Sequence, residues 1–273
     1  MVNKQDQAFS SEKAKNILLP FMMLLSLALL HGCGLFKERR PVFQVPTVKR
    51  TGNLRQDLLN RADSIKGLEI RGRLRITVRG KRFPSFNTSI WFFSHEDDLF
   101  LRIRGFGPLG VTVFDLLADR EEAWIYLPQQ GKIFKGNTFF TSYGNIDVET
   151  AIRLMEICLN PWSPARYCLS PGHREHAEPS GRVTARLYCR FMGRKLVLDY
   201  DLLSFMPLKF ESGLAAIAFK AGEGNLASTY PEEISFSLKR DGIRGSLVVK
   251  EVKFNSLSDR SPVFDKDIFR PDH

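Results

Sequence analysis

Residues 68–79 read Leu-Glu-Ile-Arg-Gly-Arg-Leu-Arg-Ile-Thr-Val-Arg. Leu68, Ile70, Gly72, Leu74, Ile76 and Val78 alternate with Glu69, Arg71, Arg73, Arg75, Thr77 and Arg79. Successive side chains of a strand point to opposite faces, so this period of two predicts a strand with one apolar and one basic face. A sheet with one wet face is characteristic of antiparallel pairing. The arginine face has two readings: a solvated surface, or a surface for lipid headgroups or a partner.

The same rhythm continues on both sides of a run of short turns. Phe86–Ser94 holds Ile90-Trp91-Phe92-Phe93, apolar on both faces, and His95-Glu96-Asp97-Asp98 makes a turn. Leu99, Leu101 and Ile103 alternate with Phe100, Arg102 and Arg104, ahead of the loop Gly105-Phe-Gly-Pro-Leu-Gly110. Further strands are expected at Val111–Leu117, Ala123–Leu127, Lys132–Lys135, Val183–Phe191, Lys195–Asp201, Leu208–Glu211, Ile217–Lys220, Ile234–Lys239 and Gly245–Phe254. Met192-Gly193 and Asp241-Gly242 suit hairpin turns. Asn160–Ser180 is polar and proline-bearing and reads as a long loop.

Two stretches change to helical spacing. Leu54, Leu58, Leu59, Ala62 and Ile65 share a face behind a capping Asn53, predicting a helix over about 54–65. Val148, Ala151, Ile152, Met155, Cys158 and Leu159 do the same over Asp147–Leu159, stopped by Pro161. About ten strands in one sheet curl strongly. The expected fold is therefore mainly β (α+β): an incomplete antiparallel β-barrel whose concave face is covered by helices.

The N-terminus has another character. Lys13 and Lys15 precede Ile17–Leu30, ILLPFMMLLSLALL. Fourteen residues make a helix of about 21 Å, too short for a hydrocarbon core of about 30 Å, which fits a signal-peptide core. Leu30-His31-Gly32-Cys33 follows. It resembles the lipobox of bacterial lipoproteins, with an apolar residue at −3, a small one at −1, and a cysteine that accepts lipid before cleavage. His31 departs from the usual small residue at −2. Gly34, in place of the aspartate that signals inner-membrane retention, implies the outer membrane, facing the periplasm. The expected organisation is a leader over 1–32, a lipidated tether over 33–52 rich in Pro and basic residues, and a half-barrel domain over 53–273.

The net charge of the 273-residue chain is +10, and removing a leader with three lysines and two acids leaves +9. That balance favours anionic partners, and export argues against nucleic acid, leaving attraction to a membrane surface or simple solubility as its two readings. Cys158, Cys168 and Cys189 remain beside Cys33. Cys158 and Cys168 could form a disulfide in an oxidising compartment, or all three could be small buried residues. No cysteine spacing supports a metal site. His173 and His176 give HxxH without the glutamate of a zinc protease, and no G-x-S-x-G, P-loop or paired-carboxylate pattern is present, so neither an enzyme nor a cofactor is expected beyond covalent lipid on Cys33.

The stretch from the first helix to about Gly136 resembles the family of the outer-membrane lipoprotein receptor LolB and its LolA-like carriers. Ile70-Arg71-Gly72, Ile90-Trp91-Phe92, and Leu101-Arg102-Ile103-Arg104 running into Gly107-Pro108-Leu109-Gly110 carry the likeness. From about residue 160 onward only strand rhythm matches. The resemblance implies that the loop Pro108, Leu109, Gly110 inserts in a membrane. It implies a concave cavity for acyl chains, with Trp91, Phe93, Phe100, Leu101, Ile103, Phe114, Trp124, Tyr126, Ile152 and Met155 as candidate walls. For Leu109 the alternative is packing back onto the body; for the others it is ordinary core. Forty or so methylenes of a lipoprotein's chains would cost on the order of 30 kcal/mol in water, so transit needs an enclosed apolar site. The implied function is an outer-membrane-anchored lipoprotein that binds acyl chains and helps receive or insert lipoproteins, with outer-membrane lipid, lipoprotein acyl chains and a periplasmic LolA-like carrier as partners. The alternative is a non-enzymatic envelope-assembly or protein-binding lipoprotein on the same fold.

Overall fold

The computed structural model describes residues 45–141, 144–167, 174–177, 183–191, 194–202, 204–213, 215–221, 229–239, 242–258 and 261–269. The leader, Cys33, the first part of the tether, Cys168 and His173 lie outside the described residues.

Helix α1 (Leu54–Asp63) is followed by β1 (Gly67–Val78), β2 (Lys81–Arg82), β3 (Phe86–His95), β4 (Asp98–Phe106), β5 (Thr112–Ala118), β6 (Ala123–Leu127) and β7 (Lys132–Gly136). A hairpin of β8 (Thr138–Thr141) and β9 (Gly144–Asp147) leads into helix α2 (Val148–Leu159). Then come β10 (Arg174–Ala177), β11 (Val183–Phe191), β12 (Arg194–Asp201), β13 (Pro207–Ser212), β14 (Ala215–Lys220), β15 (Glu233–Leu238) and β16 (Ile243–Phe254). All but β8 and β9 join one 14-stranded sheet in the order β10-β11-β12-β13-β14-β15-β16-β1-β3-β4-β5-β6-β7, with β2 on β1. Every pairing is antiparallel. The first and last long strands, β1 and β16, meet in the middle, and β10 and β7 form open edges, so the barrel is incomplete.

Register sorts the side chains into two faces. Ile70, Ile90, Ile103, Leu116 and Ile125 stand opposite one another across five strands, as do Leu68, Phe92, Leu101, Ala118 and Ala123 in the neighbouring row. These rows meet the helices in the main core, together with Leu58, Ala62 and Ile65 beside α1 and Ile152, Ile157 and Leu159 of α2. The opposite rows carry Glu69, Trp91, Arg102, Leu117, Trp124 and Lys135. There a second, smaller core of Phe93, Leu117 and Trp124 is covered by Phe264 and Phe269 of the C-terminal segment. Along β1, Arg71, Arg73 and Arg75 of that face are exposed, as a solvated face requires.

Close packing fixes particular residues. A Cβ on Gly105 would lie 2.2 Å from the Phe114 ring, so only glycine lets that ring lie across β4. The segment after α2 ties the helices together. Asn160 Nδ2 donates to the Ala62 carbonyl at 3.1 Å and Trp162 Nε1 to the Phe205 carbonyl at 2.8 Å. Arg166 bonds both Asp63 of α1 and the buried Glu156 of α2.

Several expectations need correction. The 160–180 stretch contains a 3-10 turn over Ser163–Tyr167 and the edge strand β10 rather than loop alone. The β8–β9 hairpin and β2 were not expected, because short strands carry too few alternating positions to register as a period. The inner face of α2 holds the expected Val148, Ile152 and Leu159, with Met155 and Cys158 packed against the core, and adds Ile157 and the ion-paired Glu156. The tether's last residues belong to the body: Val45 is in the main core, and Asp57 accepts from Thr51 N and Oγ1 at 2.6 and 2.7 Å.

Candidate functional site

The register divides the expected cavity residues. Leu101 is buried in the main core, and Ile103 and Met155 pack against it beside the buried Ile152, all on the helix side. Phe114 shares this side by alternation with Leu116 and meets the Phe86 ring edge-on, centroids 6.0 Å apart. Trp91, Phe93, Phe100, Trp124 and Tyr126 lie on the other face, in or against the smaller core under the C-terminal segment. They cannot line a pocket shared with the first group, because a strand separates adjacent residues to opposite sides.

An open volume sits at one margin of the helix side. A cleft of about 740 Å³ is lined by Arg50, Thr51, Gly52, Asn53, Leu54, Arg55 and Asp57 on one wall and Leu187, Leu202 and Phe205 on the other. That size falls in the usual range for small-ligand sites. Its wall mixes apolar side chains with two guanidinium groups, and Arg50 stacks over the Phe205 ring at 4.6 Å. None of these residues was marked as part of a site from sequence, and Asn53 showed only as a helix cap. Leu54 showed only as an apolar helix position, and the facing wall is more than 130 positions away along the chain.

The Pro108-Leu109-Gly110 loop joins β4 to β5. Gly107 N donates to the Val111 carbonyl at 2.8 Å, pinching the loop shut. Leu109 adopts φ 62°, ψ 16°, a left-handed conformation disfavoured for a branched side chain, and Gly110 follows at φ 76°. The Leu109 side chain is fully exposed, at 101% of its reference area. It does not pack back. Val111 and Phe83 are also exposed.

The remaining chemistry is structural. Cys158 is a free thiol, one of the two readings left open for it, and burial pushes its pKa up to about 12. Among the described residues no group of three His, Cys, Asp or Glu could hold a metal ion. No described helix is long and apolar enough to cross a membrane.

No protein-family model matches the sequence, and no curated protein matches it. Solved structures do share the fold. A DUF1329 family protein from Desulfovibrio piger superimposes with a TM-score of 0.56 at 13% identity, covering 80% of this chain and 96% of its own. A domain named for outer membrane lipoprotein sorting, from Vibrio parahaemolyticus, gives 0.53 at 15% identity, covering 79% and 96%. A LolA superfamily protein from Nitrosomonas europaea gives 0.44 at 15% identity, covering 78% and 98%. The first two share this chain's fold, the open antiparallel barrel with helices on its inner side that the resemblance implied.

Proposed function

We propose that this protein is a membrane-anchored, non-catalytic lipoprotein that handles acyl chains and aids the sorting of lipoproteins into the outer membrane from its periplasmic face. The reading is carried by Leu109, a large aliphatic side chain held out in water on a strained, pinched loop. An exposed apolar tip has no packing purpose on the body and is explained by a partner phase that receives it. Lipid on Cys33 supplies the anchor, and the dozen residues from Cys33 to Val45 reach at most about 40 Å. The fold shared with the Vibrio lipoprotein-sorting domain supports the same role. In this reading the cleft between Leu54 and Phe205 takes an acyl chain, with Arg50 and Arg55 near its headgroup, and a LolA-like periplasmic carrier delivers the cargo.

The test is Leu109→Glu. A fully exposed side chain contributes no burial, so the variant should unfold at the wild-type denaturant midpoint yet fail to pass a lipoprotein from a soluble carrier complex to outer-membrane vesicles. Normal transfer by this variant sinks the proposal.

A second reading follows from the filled helix side. Ile152, Ile157, Leu159 and Trp162 occupy the concavity with this chain's own side chains, which suits an anchored protein-binding platform in envelope assembly. Lipid found by mass spectrometry in protein purified without detergent, from a Cys33→Ser chain, would count against it.

A further inference from the structure

The two ends of the sheet differ in charge. Val78 pairs with Ile243 and Lys81, Asn87 with Phe106, and Leu127 with Lys132, so the β1–β3, β4–β5, β6–β7 and β15–β16 connections all lie at one end. Arg79, Lys81, Arg82, Lys132 and Arg244 are exposed there. Among the described residues, none of these five makes an ion pair. The exposed Phe83, Leu109 and Val111 stand at the same end. The other end holds the β3–β4 turn with Glu96, Asp97 and Asp98, and the β5–β6 turn with Asp119, Glu121 and Glu122, where Asp97 pairs with Arg120, Asp119 with Lys266 and Glu122 with Lys135. Strands of this length separate the ends by about 30 Å. The Debye length at physiological salt is only about 8 Å, so the acidic end does not cancel the field of the basic one.

We infer that the basic end is a docking face for an anionic phospholipid surface, which stands the strands upright on the membrane with Phe83, Leu109 and Val111 leading. The inference rests on the membrane-insertion reading of Leu109 and adds to it an electrostatic partner. Two features of the face match such a bilayer. Cations flank apolar tips, as they do where basic side chains meet headgroups while neighbours enter the acyl layer. The tips sit on two turns, Phe83 on one and Leu109 with Val111 on the other, an arrangement suited to a fluid layer that needs no shape match. Nucleic acid would satisfy the cations but leave the apolar tips wet.

The experiment is hydrogen exchange by mass spectrometry on the full-length protein reconstituted in vesicles of phosphatidylcholine alone, or of phosphatidylcholine with phosphatidylglycerol. Peptides covering 79–84 and 107–113 should exchange more slowly on the anionic vesicles, and added salt should reverse this. Peptides covering 95–98 and 119–122 should not change. Each cation removed should weaken the anionic-lipid effect about fivefold, so Arg79→Glu/Lys81→Glu/Arg82→Glu should abolish it while exchange in β1 stays slow. Equal protection on both vesicles overturns the electrostatic docking but leaves insertion by Leu109 standing. Persistence of the anionic effect in Leu109→Glu supports docking and tells against insertion. Absence of protection on both vesicles, or protection at the acidic end, overturns both.

Discussion

Asp115 shows how one residue decides what a face of the sheet can hold. Its carboxylate accepts from Arg102 Nε and Nη2 at 2.9 and 2.6 Å, and from Arg104 Nε and Nη2 at 3.0 and 2.8 Å. Arg102 is 2% exposed, and its remaining nitrogen donates to the Val263 carbonyl at 2.7 Å. By contrast Arg71 and Glu251 meet at 3.6 Å with both side chains about half exposed, a kind of pair worth about 0–1 kcal/mol. Breaking a buried pair strands a charge and costs about 3–5 kcal/mol. Asp115→Asn keeps the shape and removes the charge. It should therefore lower the free energy of unfolding by that amount in a urea titration, while Glu251→Gln changes it by less than about 1 kcal/mol.

At the scale of elements, the C-terminal segment acts as a cover for the outer face. Phe264 stacks on Phe100 with centroids 5.2 Å apart, and Lys266 lies 4.6 Å over the Trp124 ring while pairing with Asp119. Phe264→Ala should cost about 3–5 kcal/mol, and wetting of Trp124 should shift the fluorescence to the red. An unchanged spectrum would mean that the cover does not depend on this ring. This segment also explains what was legible in the sequence and what was not. The strands from Phe86 to Leu127 and both helices showed their positions through alternation and helical spacing. Which face of β3 and β4 is the inner one did not show, because Ile90-Trp91-Phe92-Phe93 is apolar on both sides. The choice is made by residues 257–269, about 170 positions away, which bury Trp91 and Phe93 on the side away from the helices. Leu109 was legible because its loop is local: Pro108 and Gly110 set the backbone whatever packs elsewhere. The cleft was not, since its walls, residues 50–57 and 187–205, come from distant parts of the chain.

Over the whole molecule, one core joins the two halves of the sheet, and three weak acids in or against it report on it. Cys158 closes α2, Tyr200 lies in β12, and Tyr230 precedes β15 with its hydroxyl donating to the Leu159 carbonyl at 2.6 Å. All three pack in or against the same cluster. Burial raises the Cys158 thiol to about 12 and drives both tyrosines well above their ordinary range. In the unfolded chain the thiol ionises near about 8.5 and the tyrosines near about 10. Below pH 8 all three are protonated in both states and the pH has no leverage through them. Above about 8.5 only the unfolded chain releases the thiol proton, so stability falls as pH rises, by up to about 1.4 kcal/mol per pH unit for each group, and the tyrosines add to the slope above about 10. Urea midpoints measured from pH 8 to 10.5 should decline in two stages. Cys158→Ser should remove the first stage and leave the second. A flat midpoint across this range would show that the thiol and the two phenols are not sealed in a common core.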